Sequence, residues 1–188
     1  CERCRGGRYF EAVRHRCLLN ARGASLVGAV EAYLHRGLGT YGRVSRFLCP
    51  SQFLLEKVAS FGLARDRLVH LPYFVPLERY RPSPVPECPP GAPVPLVYIG
   101  RLSREKGIET LVRAMALLPA GRARLEVLGE GPLSGQIEES IARYCPDGRI
   151  LLRGYRSGEA RFDAIRAAAF TVGPSEWYEI LPFSILEP

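Results

Sequence analysis

Short apolar runs of strand length alternate with longer stretches of helical periodicity through the second half of the chain. LVYIG (96–100) leads into an amphipathic stretch ending at Leu118, and LEVLG (125–129), ILLRG (150–154) and the apolar run 167–172 follow in turn. Runs without a polar face must be covered on both sides, and strands separated by helices close into a parallel sheet with helices packed on it. The alternation therefore predicts an α/β fold with a doubly wound parallel sheet. In such a sheet the loops at the carboxyl ends of the strands gather along one edge, which is where ligands bind.

The first half follows the same grammar in shorter pieces. Apolar residues at helical spacing predict a helix from Ala24 to Leu38, with Ser25 as its cap. Residues 44–50, VSRFLCP, read as a short buried strand. Ser51 then opens a helix that Gly62 stops, and residues 66–75 form the next strand and the loop leaving it. From Pro82 to Pro95 seven of fourteen residues are proline, a composition that holds the backbone extended and poor in hydrogen bonds. This divides the chain into residues 1–81, a linker at 82–95, and a second domain at 96–188.

At 47% hydrophobic and 24% charged residues, the composition is that of a globular protein. No window approaches the roughly 20 apolar residues of a membrane-spanning helix. The net charge of +7 comes almost wholly from arginine, Lys57 and Lys106 being the only lysines. That balance favours anionic partners: nucleotide diphosphates, phospholipid head groups or nucleic acid. Cys1, Cys4 and Cys17 form a C-x2-C-x12-C pattern, three quarters of a structural zinc site. The fourth ligand would have to come from His15 or from a cysteine further upstream, and a disulfide or free thiols are the alternative. Cys49 and Cys145 read as small buried hydrophobes.

Near the end of the chain, Glu179 and Glu187 stand eight positions apart across a loop-to-helix turn, an E-x7-E pattern that can aim two carboxylates into one crevice. Taken alone, the pair could also be favourable charges at a helix start. Taken with LVYIGRLSREKG, LEVLGEGPL and ILLRGYRS in that order, it resembles the nucleotide-sugar-binding domain of the retaining family 4 glycosyltransferases of GT-B fold. The resemblance implies two Rossmann-like domains, both incomplete here. It makes residues 1–81 the end of the acceptor-side domain with a cysteine-containing insertion at 1–17, and residues 96–188 most of the donor half. A chain about twice as long is then expected, and this piece alone should not turn over substrate.

By that resemblance Arg101 and Lys106, next to Gly100, hold the donor diphosphate, where fixed cations stabilise charge building on the leaving group. Glu179 contacts hydroxyls of the donor sugar, and Glu187 holds the ribose hydroxyls in bidentate fashion. The amides of Phe183 and Ser184 face the phosphates from a helix N-terminus. Gly129 and Gly131 allow close approach to a ligand or simply make a turn, and Gly154 with Tyr155 packs on the nucleobase. Three positions depart from the family's usual pattern: Tyr73 replaces an Asn, Pro76 an Asp, and Ile180 a Gly or Asn. The β-branched Ile180 is acceptable only at negative φ.

The chain holds no D-x-D pair, which fits an enzyme that needs no metal or other cofactor for catalysis. GRLSREKG lacks the G-x-G-x-x-G of an epimerase-like dinucleotide site. A zinc-ribbon nucleic-acid module would need a second C-x-x-C and interleaved aromatics, so no nucleic-acid partner is expected. His15, His35 and His70 receive no catalytic role. The expectation is a cytoplasmic hexosyltransferase using a UDP- or GDP-sugar and a glycan, lipid-linked or small-molecule acceptor. The arginine excess, together with the amphipathic segment 24–38, would give it peripheral contact with the membrane.

Overall fold

The computed structural model describes residues 2–74, 84 and 86–182. It divides into two compact units, Cys1–Tyr73 and Phe74–Pro188. Both are α/β, and every strand pair in them is parallel.

The first unit contains α1 (Phe10–Arg14), α2 (Arg22–Gly37), β1 (Phe47–Cys49), α3 (Gln52–Ser60) and β2 (Leu68–His70). Strands β1 and β2 pair in register Phe47↔Leu68 through Cys49↔His70. Ser51 caps α3 as expected, its hydroxyl accepting from the Leu54 amide at 3.2 Å, and Gly62 follows the helix at φ +98°. Ser25 does not cap α2. The helix starts at Arg22, and Ser25 lies within it, fully buried. Its hydroxyl donates to the Ala21 carbonyl at 2.8 Å and accepts from the Leu18 amide at 3.1 Å. A serine one turn into a helix can bond the carbonyl four residues back, so serine near a helix start does not by itself mark the cap.

The chain's net charge is carried by this unit. Residues 1–73 hold twelve of the 26 Lys and Arg and five of the 19 Asp and Glu, a balance of +7, and the remaining residues, with fourteen of each sign, are neutral.

The second unit is built on a four-stranded sheet of order β5-β4-β3-β6. Its strands are β3 (Val94–Ile99), β4 (Ala123–Leu128), β5 (Ile150–Leu152) and β6 (Phe170–Thr171), joined by α4 (Ile108–Leu117), α5 (Ser134–Tyr144) and α6 (Glu159–Arg166). Val97, Leu125 and Val127 are fully buried on the sheet, as are Ile108, Val112 and Ile137 on the helices covering it. Such side chains each contribute about 1.5–3 kcal/mol when removed from water. Cys145 and Cys49 are both buried, as the sequence suggests.

Strand β3 starts at Val94, two residues before the expected start of the second domain at residue 96, so Pro95 belongs to the strand. The Val94 amide donates to Arg122 on the β4 side. The nitrogen of Pro95 therefore faces the β6 side, ahead of the first β6 pair, Leu96↔Phe170, and no ladder bond is lost.

Candidate functional site

The loops leaving the carboxyl ends of β3, β4, β5 and β6 meet along one edge of the second unit. The turn after β3 is fixed from below by Tyr98, which is buried and donates its hydroxyl to the Arg101 carbonyl at 2.9 Å. Burial, with the negative charges of Glu179 and Glu105 nearby, pushes its phenol up to about 12, so it remains a donor at physiological pH. From beside it, the Leu102 amide donates to the Glu130 carbonyl at 3.0 Å. Arg101 extends from this turn with an exposed side chain.

Gly129 and Gly131 account for the closeness of these loops. Gly129 sits at φ +148°, and a Cβ there would collide with the Gly100 carbonyl; a Cβ on Gly131 would collide with that of Leu102. What approaches both glycines is the backbone of the β3 loop. Gly154 is drawn in as well, its carbonyl accepting from the Gly129 amide at 2.9 Å. The next amide, of Tyr155, donates to Glu130 Oε1 at 3.2 Å, leaving the exposed Tyr155 ring at the rim.

Lys106 and Glu179 come together. Lys106 closes a short turn after Ser103, and its Nζ lies 2.6 Å from Glu179 Oε1. The same oxygen accepts from Ser175 Oγ at 2.6 Å and from the Trp177 indole N–H at 2.9 Å. Lys106 Nζ also stands 5.3 Å from the centre of the Trp177 ring, within cation–π range. Among the described residues, no hydrogen bond reaches the other oxygen of Glu179, Oε2. Burial pushes this carboxyl up, but hydrogen bonds from Lys106, Ser175 and Trp177, with the Lys106 charge, outweigh it and hold the group below the usual carboxylate range. Glu105 beside it is lowered chiefly by the Ser103 hydroxyl, which donates at 2.7 Å.

Residues that the sequence did not single out hold these two loops against each other. The Glu176 amide donates to the Glu105 carbonyl at 2.9 Å, and the Thr110 hydroxyl donates to the Glu176 carboxylate. Gly107 lies at φ +67°, where a Cβ would meet the Pro174 carbonyl. Positive φ outside glycine is confined, among the described residues, to Arg16, Leu19 and Asn20, so Ile180 keeps the backbone that a β-branched residue needs.

Phe183, Ser184 and Glu187, expected at the phosphates and ribose, lie outside the described residues, as do Pro76 and Cys1. Cys4 and Cys17 are free thiols. Among the described residues, no three His, Cys, Asp or Glu side chains gather as a metal site, so these residues do not by themselves make up the zinc set that the spacing suggests.

The parallel sheet with helices packed on it gives the second unit a Rossmann-like α/β architecture, in which ligands bind at the carboxyl edge of the strands. The chain belongs to the family described as glycosyl transferases group 1, whose model matches residues 93–188. Over 92 residues it is 30% identical to an uncharacterised glycosyltransferase of Methanocaldococcus jannaschii, a match covering 48% of this chain and 23% of that protein. Among solved structures it resembles the apo form of the lipopolysaccharide outer core galactosyltransferase WaaB, with TM-score 0.63, 20% identity, and coverage of 76% of this chain and 40% of that one. It also resembles HepE of Anabaena in complex with UDP and glucose, with TM-score 0.61, 18% identity, and coverage of 76% and 41%. These neighbours are GT-B glycosyltransferases, and the α/β fold with parallel sheets is theirs. The chain spans about a quarter of the curated relative and about two fifths of the two solved chains.

Proposed function

We propose that this chain carries the donor-binding part of a retaining, metal-independent glycosyltransferase of family 4, which moves a hexose from a UDP- or GDP-sugar to a glycan or lipid-linked acceptor. The observation that carries the reading is the convergence of Lys106, Ser175 and Trp177 on one oxygen of Glu179 at the carboxyl edge of the sheet. It fixes the carboxylate, keeps it ionised, and leaves Oε2 to accept from a sugar hydroxyl. An ammonium has three N–H donors, so Lys106 can keep Glu179 and still reach a diphosphate oxygen. Arg101, exposed on the adjoining turn, supplies the second cation. As the glycosidic bond breaks, negative charge grows on the departing phosphate, and fixed cations lower that barrier most. The acceptor would enter on the same face that the nucleotide leaves, with retention of configuration.

In this reading the Tyr155 loop packs on the base, Glu187 holds the ribose, and the amides of Phe183 and Ser184 face the phosphates. HepE, a fold relative, binds UDP and glucose, which supports the ligand class. The first unit, with the whole +7, is read as the side that meets an anionic acceptor or membrane surface. Exposed Leu26, Val30 and Leu34 lie along α2, and basic charge beside an apolar face suits anionic lipid. Flotation with anionic but not neutral vesicles is the expected result. Equal, negligible binding to both removes the membrane from the reading. The cysteine pattern takes no part in it.

The chain's single tryptophan, Trp177, reports on this site directly. Titrating UDP-glucose and GDP-mannose should quench its emission for one of the two, and Lys106→Met and Glu179→Gln should each weaken that binding by about tenfold or more. Unchanged emission and flat calorimetric titrations with both sugars would overturn the donor-site reading.

A further inference from the structure

We propose that Glu176, clamped by Thr110, is the positioning residue that sets the sugar-binding carboxylate of Glu179 against the phosphate-binding Lys106. The inference rests on the donor-site reading and adds to it residues that do not touch the donor. The two loops are anchored unequally. The β3 loop, with Arg101 and Lys106, is held by its own ties: the Tyr98 hydroxyl on the Arg101 carbonyl, the Leu102 amide on Glu130, and the Lys106 amide on the Ser103 carbonyl at 3.1 Å.

The loop after β6 begins from a strand of only two residues, Phe170 and Thr171. Beyond the bond from the Val172 amide to Val97 at 2.8 Å, its backbone tie to the rest of the unit, among the described residues, is the Glu176 amide on the Glu105 carbonyl. The Thr110 hydroxyl on the Glu176 carboxylate adds a side-chain tie at the same point, to the first turns of α4. This anchor falls three residues before Glu179, and the loop closes down on Gly107, where Pro174 leaves no room for a Cβ. Releasing it frees the end of the loop that carries Ser175, Trp177 and Glu179, and leaves the phosphate cations where they are.

A clamp of this kind predicts a split between the two halves of the donor. The sugar half depends on Glu179 and suffers when Glu176 or Thr110 is lost. The diphosphate half depends on the independently anchored β3 loop and does not. Glu176 and Thr110 are both exposed, so their substitution should leave the chain folded.

The experiment measures affinity for UDP-glucose, GDP-mannose, UDP and GDP by Trp177 quenching and calorimetry in wild type, Glu176→Ala, Glu176→Gln, Thr110→Val and the Glu176→Ala/Thr110→Val double variant. Each of Glu176→Ala and Thr110→Val should weaken the preferred nucleotide sugar about five- to tenfold and the matching nucleotide diphosphate less than about twofold. The double variant should be no worse than the poorer single one, because both remove the same tie. Glu176→Gln, whose amide oxygen still accepts from Thr110, should recover most of the loss. Additive losses, equal loss of sugar and diphosphate, or wild-type affinity in Glu176→Ala would each overturn the clamp. If wild type binds none of the four ligands, the donor-site reading falls and the clamp with it, a result distinct from the other three.

Discussion

Lys106 and Glu179, 73 residues apart in sequence, meet at 2.6 Å across the carboxyl edge of the sheet. Their partnership makes the site sensitive to acid, with a sign that can be worked out. The Glu179 carboxyl is held below its ordinary value of 4.5 in the folded chain. The stability it contributes is therefore present in full above that value and is lost as pH falls through the lower, folded-state one. Trp177 donates to the same oxygen, so its fluorescence should titrate with a midpoint below 4.5. In Lys106→Met the largest lowering influence is gone and burial remains, so the midpoint should rise. A midpoint that stays put in that variant would show that the ion pair does not set the ionisation of Glu179.

Tyr98 gives a prediction at the alkaline end. Its phenol is raised from 10.0 to about 12, so its contribution to stability is complete below pH 10 and declines as pH rises towards 12. Tyr98→Phe removes the hydrogen bond to Arg101 and should cost about 1 kcal/mol at neutral pH. Chemical denaturation at pH 8 and pH 11 should show a larger penalty at pH 8. An equal penalty at both pH values would mean that the phenol is not held neutral by the fold.

The alternation of apolar runs made the parallel sheet legible, because strands buried on both faces and linked by helices have few other arrangements. Lys106 and Glu179 were separately readable as candidates, since both follow strand ends. Their direct contact depends on the order β5-β4-β3-β6, which puts β6 beside β3, and strand order is not written in local sequence. Ser175 and Trp177 escaped notice because a loop has no period to say which side chains share a face. Tyr98 left a signal that could have been used: a tyrosine inside a strand buried on both faces must find a partner for its hydroxyl. Ser25 misled because its spacing suits a cap, and only the helix start at Arg22 shows that it is an internal, buried serine.

Gly107 and Gly121 separate backbone strain from collision. Both adopt positive φ, +67° and +74°, but a Cβ on Gly107 runs into Pro174 and one on Gly121 meets nothing. Gly121→Ala should cost about 1–2 kcal/mol, the ordinary penalty of the left-handed region. Gly107→Ala should cost more and also push the Pro174 loop outward, weakening nucleotide-sugar binding. Urea denaturation of the two variants side by side checks the ranking, and equal losses would mean that the loop yields without resistance.

Ser51 and Ser25 give a matching comparison in the first unit. Ser51→Ala removes one hydroxyl acceptor at the start of α3, where the freed Leu54 amide is at a partly accessible helix end that water can reach; about 1 kcal/mol is the usual loss. Ser25→Ala removes two bonds at once from a site with no solvent exposure. The Leu18 amide loses its acceptor and the Ala21 carbonyl a donor, and each such hydrogen bond contributes about 0.5–1.5 kcal/mol. Ser25→Ala should therefore be the more damaging substitution, although its hydroxyl caps nothing. Thermal denaturation followed by helical circular dichroism should rank wild type above Ser51→Ala and Ser51→Ala above Ser25→Ala. The reverse order would mean that the turn at Leu18 can rearrange to satisfy its amide without the serine.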